Sequence, residues 1–237
     1  MSLSWPDYDA VLFDLDGVVT PTAVVHMRAW SDMFNAFLGG YDGPGDAAPY
    51  TDADYFAHVD GKPRYDGVRD FLTSRGIPAS DDLVRKLGDS KNDAFNAVLE
   101  RDGVEPYPGS VILLDHLRTL GLPLAVVSSS VNAPAVLAAA GLADRFASVV
   151  SGAVATELRL PGKPAPDTFV HAATALGATA ARSVVLEDAV SGVRAGAAGR
   201  FGAVVGVDRG AGAEALTAAG ATVVVSDLAE LVPGWTP

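Results

Sequence analysis

The chain has 237 residues, 49% hydrophobic and 19% charged, so it can bury a sizeable core and is not a disordered polyelectrolyte. Its net charge of −12 argues against nucleic acid as a partner, and leaves an anionic small molecule to be held by a few local cations. With no cysteine, disulfides, thiolate catalysis and Cys-ligated zinc are excluded.

The N-terminus carries Trp5, Pro6 and Asp7 ahead of its first apolar run, unlike a signal peptide, and a cytoplasmic protein is expected. Ala10–Asp14 is a continuous apolar run that ends on an acid, predicted as the first strand. From Thr22 to Arg101 no strand is evident. Val24–Leu38, Tyr65–Arg75 and Asp81–Arg101 carry apolar residues at three- and four-residue steps, which predicts helices. Gly39–Pro49, rich in Gly, Pro and Asp, predicts an exposed loop. Beyond Pro106, helical segments Ser110–Leu120, Ala133–Ala140, Asp167–Leu176, Ser191–Ala198 and Ala213–Ala219 alternate with apolar runs. Those runs are Leu124–Ser128, Ser148–Ser151, Ser183–Glu187, Ala203–Asp208 and Thr222–Ser226. Continuous rather than alternating apolar strands are covered on both faces. The expected fold is therefore α/β, a doubly wound parallel sheet with an inserted α-helical cap. The expected core is 1–21 and 103–237, and the expected cap 22–102. Thr119–Ala143 carries no charge, but its Gly, Pro and Ser residues fit strand, loop and helix better than a membrane span.

Polar residues stand at the ends of the predicted strands or beside them: Asp14 and Asp16, Ser128, Lys163, and Glu187 with Asp188. In a doubly wound sheet such ends converge on one crevice. A carboxylate, a hydroxyl, a lysine and a second pair of acids suit metal-assisted phosphoryl transfer. Each also fits a plainer reading: an Asx turn, a strand-ending serine beside Ser129 and Ser130, a solvated lysine, a helix N-cap. Gly192, Gly196 and Gly199 fit close helix packing.

The ordered set of these motifs resembles the haloacid dehalogenase superfamily, in the branch whose cap follows the first motif. The resemblance implies Asp14 as nucleophile forming an aspartyl-phosphate and Asp16 as acid and base, which requires a raised carboxyl pKa. It further implies Ser128 and Lys163 as phosphoryl-gripping groups. It implies Mg²⁺ on Asp14, the Asp16 main-chain carbonyl and Asp188, with Glu187 in support. Thr20–Trp30 resembles the β-phosphoglucomutases, which carry a threonine and a histidine at the positions of Thr22 and His26. Gly61-Lys62-Pro63-Arg64 resembles their cap loop with a distal-phosphate arginine, and Lys91-Asn92-Asp93 their substrate-reaching cap helix. The resemblance places Ser130 and Asn132 in the substrate site too. Two departures stand out: Pro21 replaces an acid typical of the mutases, and Val131 a lysine. Lys62 or another cap residue is expected to compensate for that lysine.

The expected partner is a small phosphorylated sugar, with neither nucleic acid nor membrane, and a monomer is expected. The function implied is a sugar-phosphate mutase acting on β-glucose 1-phosphate. The alternative is a phosphatase of small phosphate monoesters, which Pro21 and Val131 favour. Intact Asp14 and Asp16 speak against a third reading, a binding protein without turnover.

Overall fold

The computed structural model describes residues 3–236; residues 1–2 and 237 of the expected core range lie outside the described residues. The framework is a parallel sheet of six strands in the order β3-β2-β1-β4-β5-β6. The strands are β1 (Ala10–Phe13), β2 (Leu124–Val127), β3 (Ser148–Val150), β4 (Ser183–Glu187), β5 (Ala203–Val207) and β6 (Val223–Val225). β1 pairs with β2 on one side, Val11 opposite Leu124, and with β4 on the other, Val11 opposite Val184. The chain thus winds outward in both directions from β1. The crevice of a doubly wound sheet opens at such a point of reversal.

Successive strand residues point to opposite faces, and each face has its own core. Val11, Phe13, Val126, Val184, Leu186 and Val205 pack against Leu113, Leu117 and Val136. Leu12, Ala125, Val127, Val185 and Val204 pack against Phe169, Ala172, Val193 and Leu216. The helices supplying those residues are α5 (Pro108–Thr119), α6 (Ala133–Ala139), α8 (Asp167–Ala175), α9 (Val190–Ala198) and α10 (Ala213–Ala219). All four β1 residues are buried, which explains why their run shows no polar alternation.

The helical block between β1 and α5 holds α1 (Thr22–Leu38), the single turn α2 (Asp52–Asp54), a π-helical turn at Tyr55–Val59, α3 (Arg64–Ser74) and α4 (Asp81–Asp102). It is built on a separate aromatic cluster: Phe34 stacks with Trp30 and Tyr50 at centroid distances of 5.4 and 4.9 Å, and meets Phe71 at 4.2 Å. Residues 39–49 form the expected exposed loop.

Most strand predictions run one residue too long at the polar end. Asp14, Ser128, Ser151 and Asp208 lie just past their strands. Asp14, Ser128 and Asp208 still donate their N–H to the neighbouring strand, but the chain turns away after them, where Ser151 accepts the Val154 N–H at the start of α7 (Gly152–Glu157) and Asp208 accepts those of Gly210 and Gly212. α7 and the 52–59 turns were not predicted, being too short to show a periodicity. The Thr51-x-x-Asp54 spacing was their one signal: Thr51 and Asp54 form a reciprocal capping box.

Phe71 is fully buried at the centre of the helical block. Phe71→Ala is expected to cost about 3–5 kcal/mol through lost burial and a residual cavity. A lowered urea midpoint with the sheet's circular dichroism retained at zero denaturant checks this.

Candidate active site

Asp14 leaves β1 with its N–H bonded to the Leu186 carbonyl of β4 (2.9 Å), which holds the residue at the reversal point. Its carboxylate accepts from Lys163 Nζ. The same ammonium donates to Glu187 Oε1 (2.6 Å) and to the Val127 carbonyl at the end of β2 (3.1 Å). Lys163 is 3% exposed, so it joins the ends of β1, β2 and β4 by spending all of its donors in a dry environment. Burial alone would lower its pKa, but Asp14 and Glu187 hold it above the ordinary lysine value. Burial pushes the Asp14 carboxyl well above the usual carboxylate range, against the pull of Lys163; Glu187 and Asp16 add to the rise.

Carboxylate oxygens of Asp14, Glu187 and Asp188 lie within 4.8 Å of one another. Glu187 has both oxygens engaged, the second accepting the Ala189 N–H (2.8 Å). Asp188, only 8% exposed, has no hydrogen-bond donor among the described residues, and its carboxyl is raised by burial and by Asp60, Glu187 and Asp14. Buried, under-neutralised hard oxygen donors fit a small divalent cation. Among the described residues, Asp188 has its oxygens free of donors, whereas both oxygens of Glu187 already accept hydrogen bonds. Glycines make this cluster possible. A Cβ on Gly17 (φ +91°) would sit 1.8 Å from Asp188 Oδ2, and one on Gly192 would sit 1.6 Å from Glu187 Oε1. Gly196 packs on Val204, as the helix-packing reading of these glycines expects.

Asp16 faces a different set of neighbours. Thr22 Oγ1 donates to its Oδ1 (2.5 Å) and Ser128 Oγ to its Oδ2 (3.2 Å), while His26 Nε2 lies 3.2 Å from Oδ1. Its side chain therefore turns away from the metal-type cluster. The expected raised carboxyl does not hold: burial raises it, but His26, Thr22 and Lys91 outweigh that and bring it down to about 2. Lys91 donates to His26 Nδ1, which leaves the neutral ring carrying its proton on Nε2, toward Asp16. Burial and Lys91 both lower the His26 pKa. Lys91 itself, 5% exposed, is lowered by burial to about 7. His26 also stacks on Phe95 at 4.0 Å.

These groups open onto a cavity of about 520 Å³ lined by Asp14, Asp16, His26, Arg64, Lys91, Ser128, Ser130 and Asn132, among others. Several residues expected to contact substrate bond to neighbours within the protein. Asn132 Nδ2 donates to Asn92 Oδ1 (2.9 Å), and Ser130 Oγ accepts the Asn132 N–H (3.1 Å). Arg64 donates to the Gly88 carbonyl (3.3 Å) and stays unpaired with any carboxylate among the described residues. Lys62 does not replace the lysine missing at Val131. Its ammonium is 2.5 Å from Asp70, which also neighbours His58 at 3.4 Å.

Three residues escaped the sequence reading. Ser191 Oγ donates to the Asp60 carbonyl (2.9 Å) and Ser129 Oγ to the Gly61 carbonyl (2.8 Å), so two core hydroxyls clasp the helical block. Asp60 lines the cavity as a further acid, raised to about 7 by burial and by Glu187. Only its Asp-Gly pairing marked it in the sequence.

A parallel sheet gathering a lysine-bound carboxylate and further acids at its reversal point, under a helical insertion, defines an α/β enzyme of the phosphoryl-transfer type. A family model described as haloacid dehalogenase-like hydrolase matches residues 8–200. The chain is 47% identical to a β-phosphoglucomutase of Mycobacterium tuberculosis, over 94% of this chain and 91% of the relative. It is 30% identical to hexitol phosphatase A of Escherichia coli, over 79% of this chain and 77% of the relative. The solved β-phosphoglucomutase of Clostridium difficile superposes with a TM-score of 0.78 at 23% identity, covering 95% of this chain and 93% of the other; this shows a shared fold. The chain belongs to the haloacid dehalogenase-like hydrolase family, in its β-phosphoglucomutase-like branch. It is accordingly a phosphotransferase or phosphatase. No helix among the described residues is long and apolar enough to cross a membrane.

Lys163→Met strands buried acids without their cation, and a loss of about 3–5 kcal/mol is expected at neutral pH. Asp14 and Asp188 bind their protons more tightly in the folded than in the unfolded chain. The stability this confers is complete below a carboxyl pKa of about 4 and fades as pH rises. Urea melts of the variant should therefore show a smaller deficit at about pH 5 than at about pH 8, the reverse of a simple packing defect.

Proposed function

We propose that the protein is a Mg²⁺-dependent sugar-phosphate mutase that interconverts β-glucose 1-phosphate and glucose 6-phosphate through a phosphorylated Asp14. In this reading residues 22–102 are a cap over a core formed by 1–21 and 103–237. The observation that carries it is the setting of Asp16. It accepts from Thr22 and Ser128 and faces the His26 N–H, as an ionised carboxylate does. A group ionised at rest enters the cycle as a base. That suits a cycle that starts from phosphorylated Asp14, where the first event is deprotonation of a sugar hydroxyl.

The sugar C6 hydroxyl gives its proton to Asp16 and attacks phosphorus, the phosphorus–Asp14 bond breaks, and a 1,6-bisphosphate results. After the sugar turns over, Asp14 attacks the C1 phosphate, the phosphorus–O1 bond breaks, and Asp16 returns the proton to O1. Glucose 6-phosphate leaves and Asp14 is phosphorylated again. Lys163 neutralises Asp14 and steadies the transferring oxygens; Ser128 fixes Asp16 beside them. Mg²⁺, held by Asp14, the Asp16 carbonyl and Asp188 with Glu187 through water, would offset charge on the phosphoryl group and keep Asp14 ionised. Thr22, His26 and Lys91 orient Asp16, while Arg64, with Ser130 and Asn132, receives the phosphate that is not transferring.

A phosphatase is the second reading, favoured by the apolar Val131 on the cavity wall and by Lys62 being committed to Asp70. Incubation with β-glucose 1-phosphate and a bisphosphate primer should yield glucose 6-phosphate by a coupled assay. Release of inorganic phosphate without glucose 6-phosphate would establish the second reading instead. Asp14→Asn should lower turnover by at least about a hundredfold with little change in thermal midpoint, since shape is kept and the attacking charge lost. Chelation with EDTA should abolish turnover, and added Mg²⁺ should restore it.

A further inference from the structure

We propose that Arg159, which lines the same cavity as Arg64, is a second specificity-determining cation for the non-transferring phosphate of a sugar bisphosphate. The inference deepens the mutase reading above and rests on it. Four cationic side chains line the cavity: Lys62, Arg64, Lys91 and Arg159. Lys62 is bound to Asp70 and Lys91 to His26. Among the described residues, only Arg64 and Arg159 of these four are left without a side-chain hydrogen bond or ion pair, Arg64 lying over the Tyr65 ring at 4.9 Å.

The two arginines flank one contact. Gly162 packs so closely on Pro63 that a Cβ there would meet the proline ring at 2.3 Å, and Arg64 directly follows Pro63. Arg159 lies three residues before Gly162, on the core side. It also follows α7, whose first residue bonds through its N–H to the Ser130 carbonyl (3.0 Å). Arg159 is thus carried by the element that braces the loop of Ser130, Val131 and Asn132. On that loop Val131 is 40% exposed and its side chain offers no donor to an anion. A cation from the neighbouring element supplies what that wall lacks.

The backbone adds a second observation. Arg159 has φ +54° just beyond the last turn of α7, the left-handed position that a glycine normally takes without strain.

The test is calorimetric titration in an Asp14→Asn background, which stops transfer, with Mg²⁺ present. The probes are a hexose 1,6-bisphosphate and inorganic phosphate, and the variants Arg159→Gln and Arg159→Gly. The expected result is a Kd for the bisphosphate raised about tenfold in both variants, with inorganic phosphate unchanged within about twofold. The Gly variant should show a thermal midpoint no lower than its parent, which separates lost binding from lost structure. Unchanged bisphosphate affinity, or equal weakening of both probes, would overturn the role of Arg159 while leaving the mutase reading standing. A parent protein that binds the bisphosphate no better than inorganic phosphate would overturn both.

Discussion

One buried ammonium holds this structure's chemistry together. Lys163 reaches from a proline-rich loop to the ends of three strands and donates to Asp14, Glu187 and the Val127 carbonyl. Each acid there would be costly to bury alone, and the lysine would be neutral were it buried alone. Their mutual dependence leaves a carboxylate excess that a bound proton or a multivalent cation can balance. The site is thus stable enough to fold and unbalanced enough to bind.

The second constraint is the divergence of two acids only two residues apart. Asp14 looks toward lysine and further carboxylates, and Asp16 toward hydroxyls and an imidazole N–H. Gly17 makes the split possible, since its positive φ turns the chain and its missing side chain admits Asp188. The turn thereby produces one carboxyl raised and one lowered from the same local sequence. Groups pushed apart in this way can take separate roles in one reaction.

The parallel sheet was legible because its strands are apolar throughout, and the helical insertion because α1, α3 and α4 are long enough to show a period. Asp14, Lys163, Glu187 and Asp188 were legible as strand-end polar residues, and they do come together. The direction of the Asp16 shift was not legible. It depends on Thr22, His26 and Lys91 arriving from the helical block, and no spacing within the 14–18 segment encodes that. Asp60 and the two clasping serines were missed for the same reason: each acts across an interface between segments far apart in sequence. Lys62 shows the converse error, for a cation next to the right loop is consumed by Asp70 eight residues further on.

The clasp between Ser191, Ser129 and residues 60–61 has a consequence for how such a molecule can diversify. Both hydroxyls take hold of peptide oxygens, not of side chains. These two contacts between the helical block and the sheet domain therefore do not depend on the side chain at position 60, provided Gly61 keeps its space. Variation in this loop that spares Gly61 and Pro63, whose ring lies against Gly162, leaves both of these grips in place.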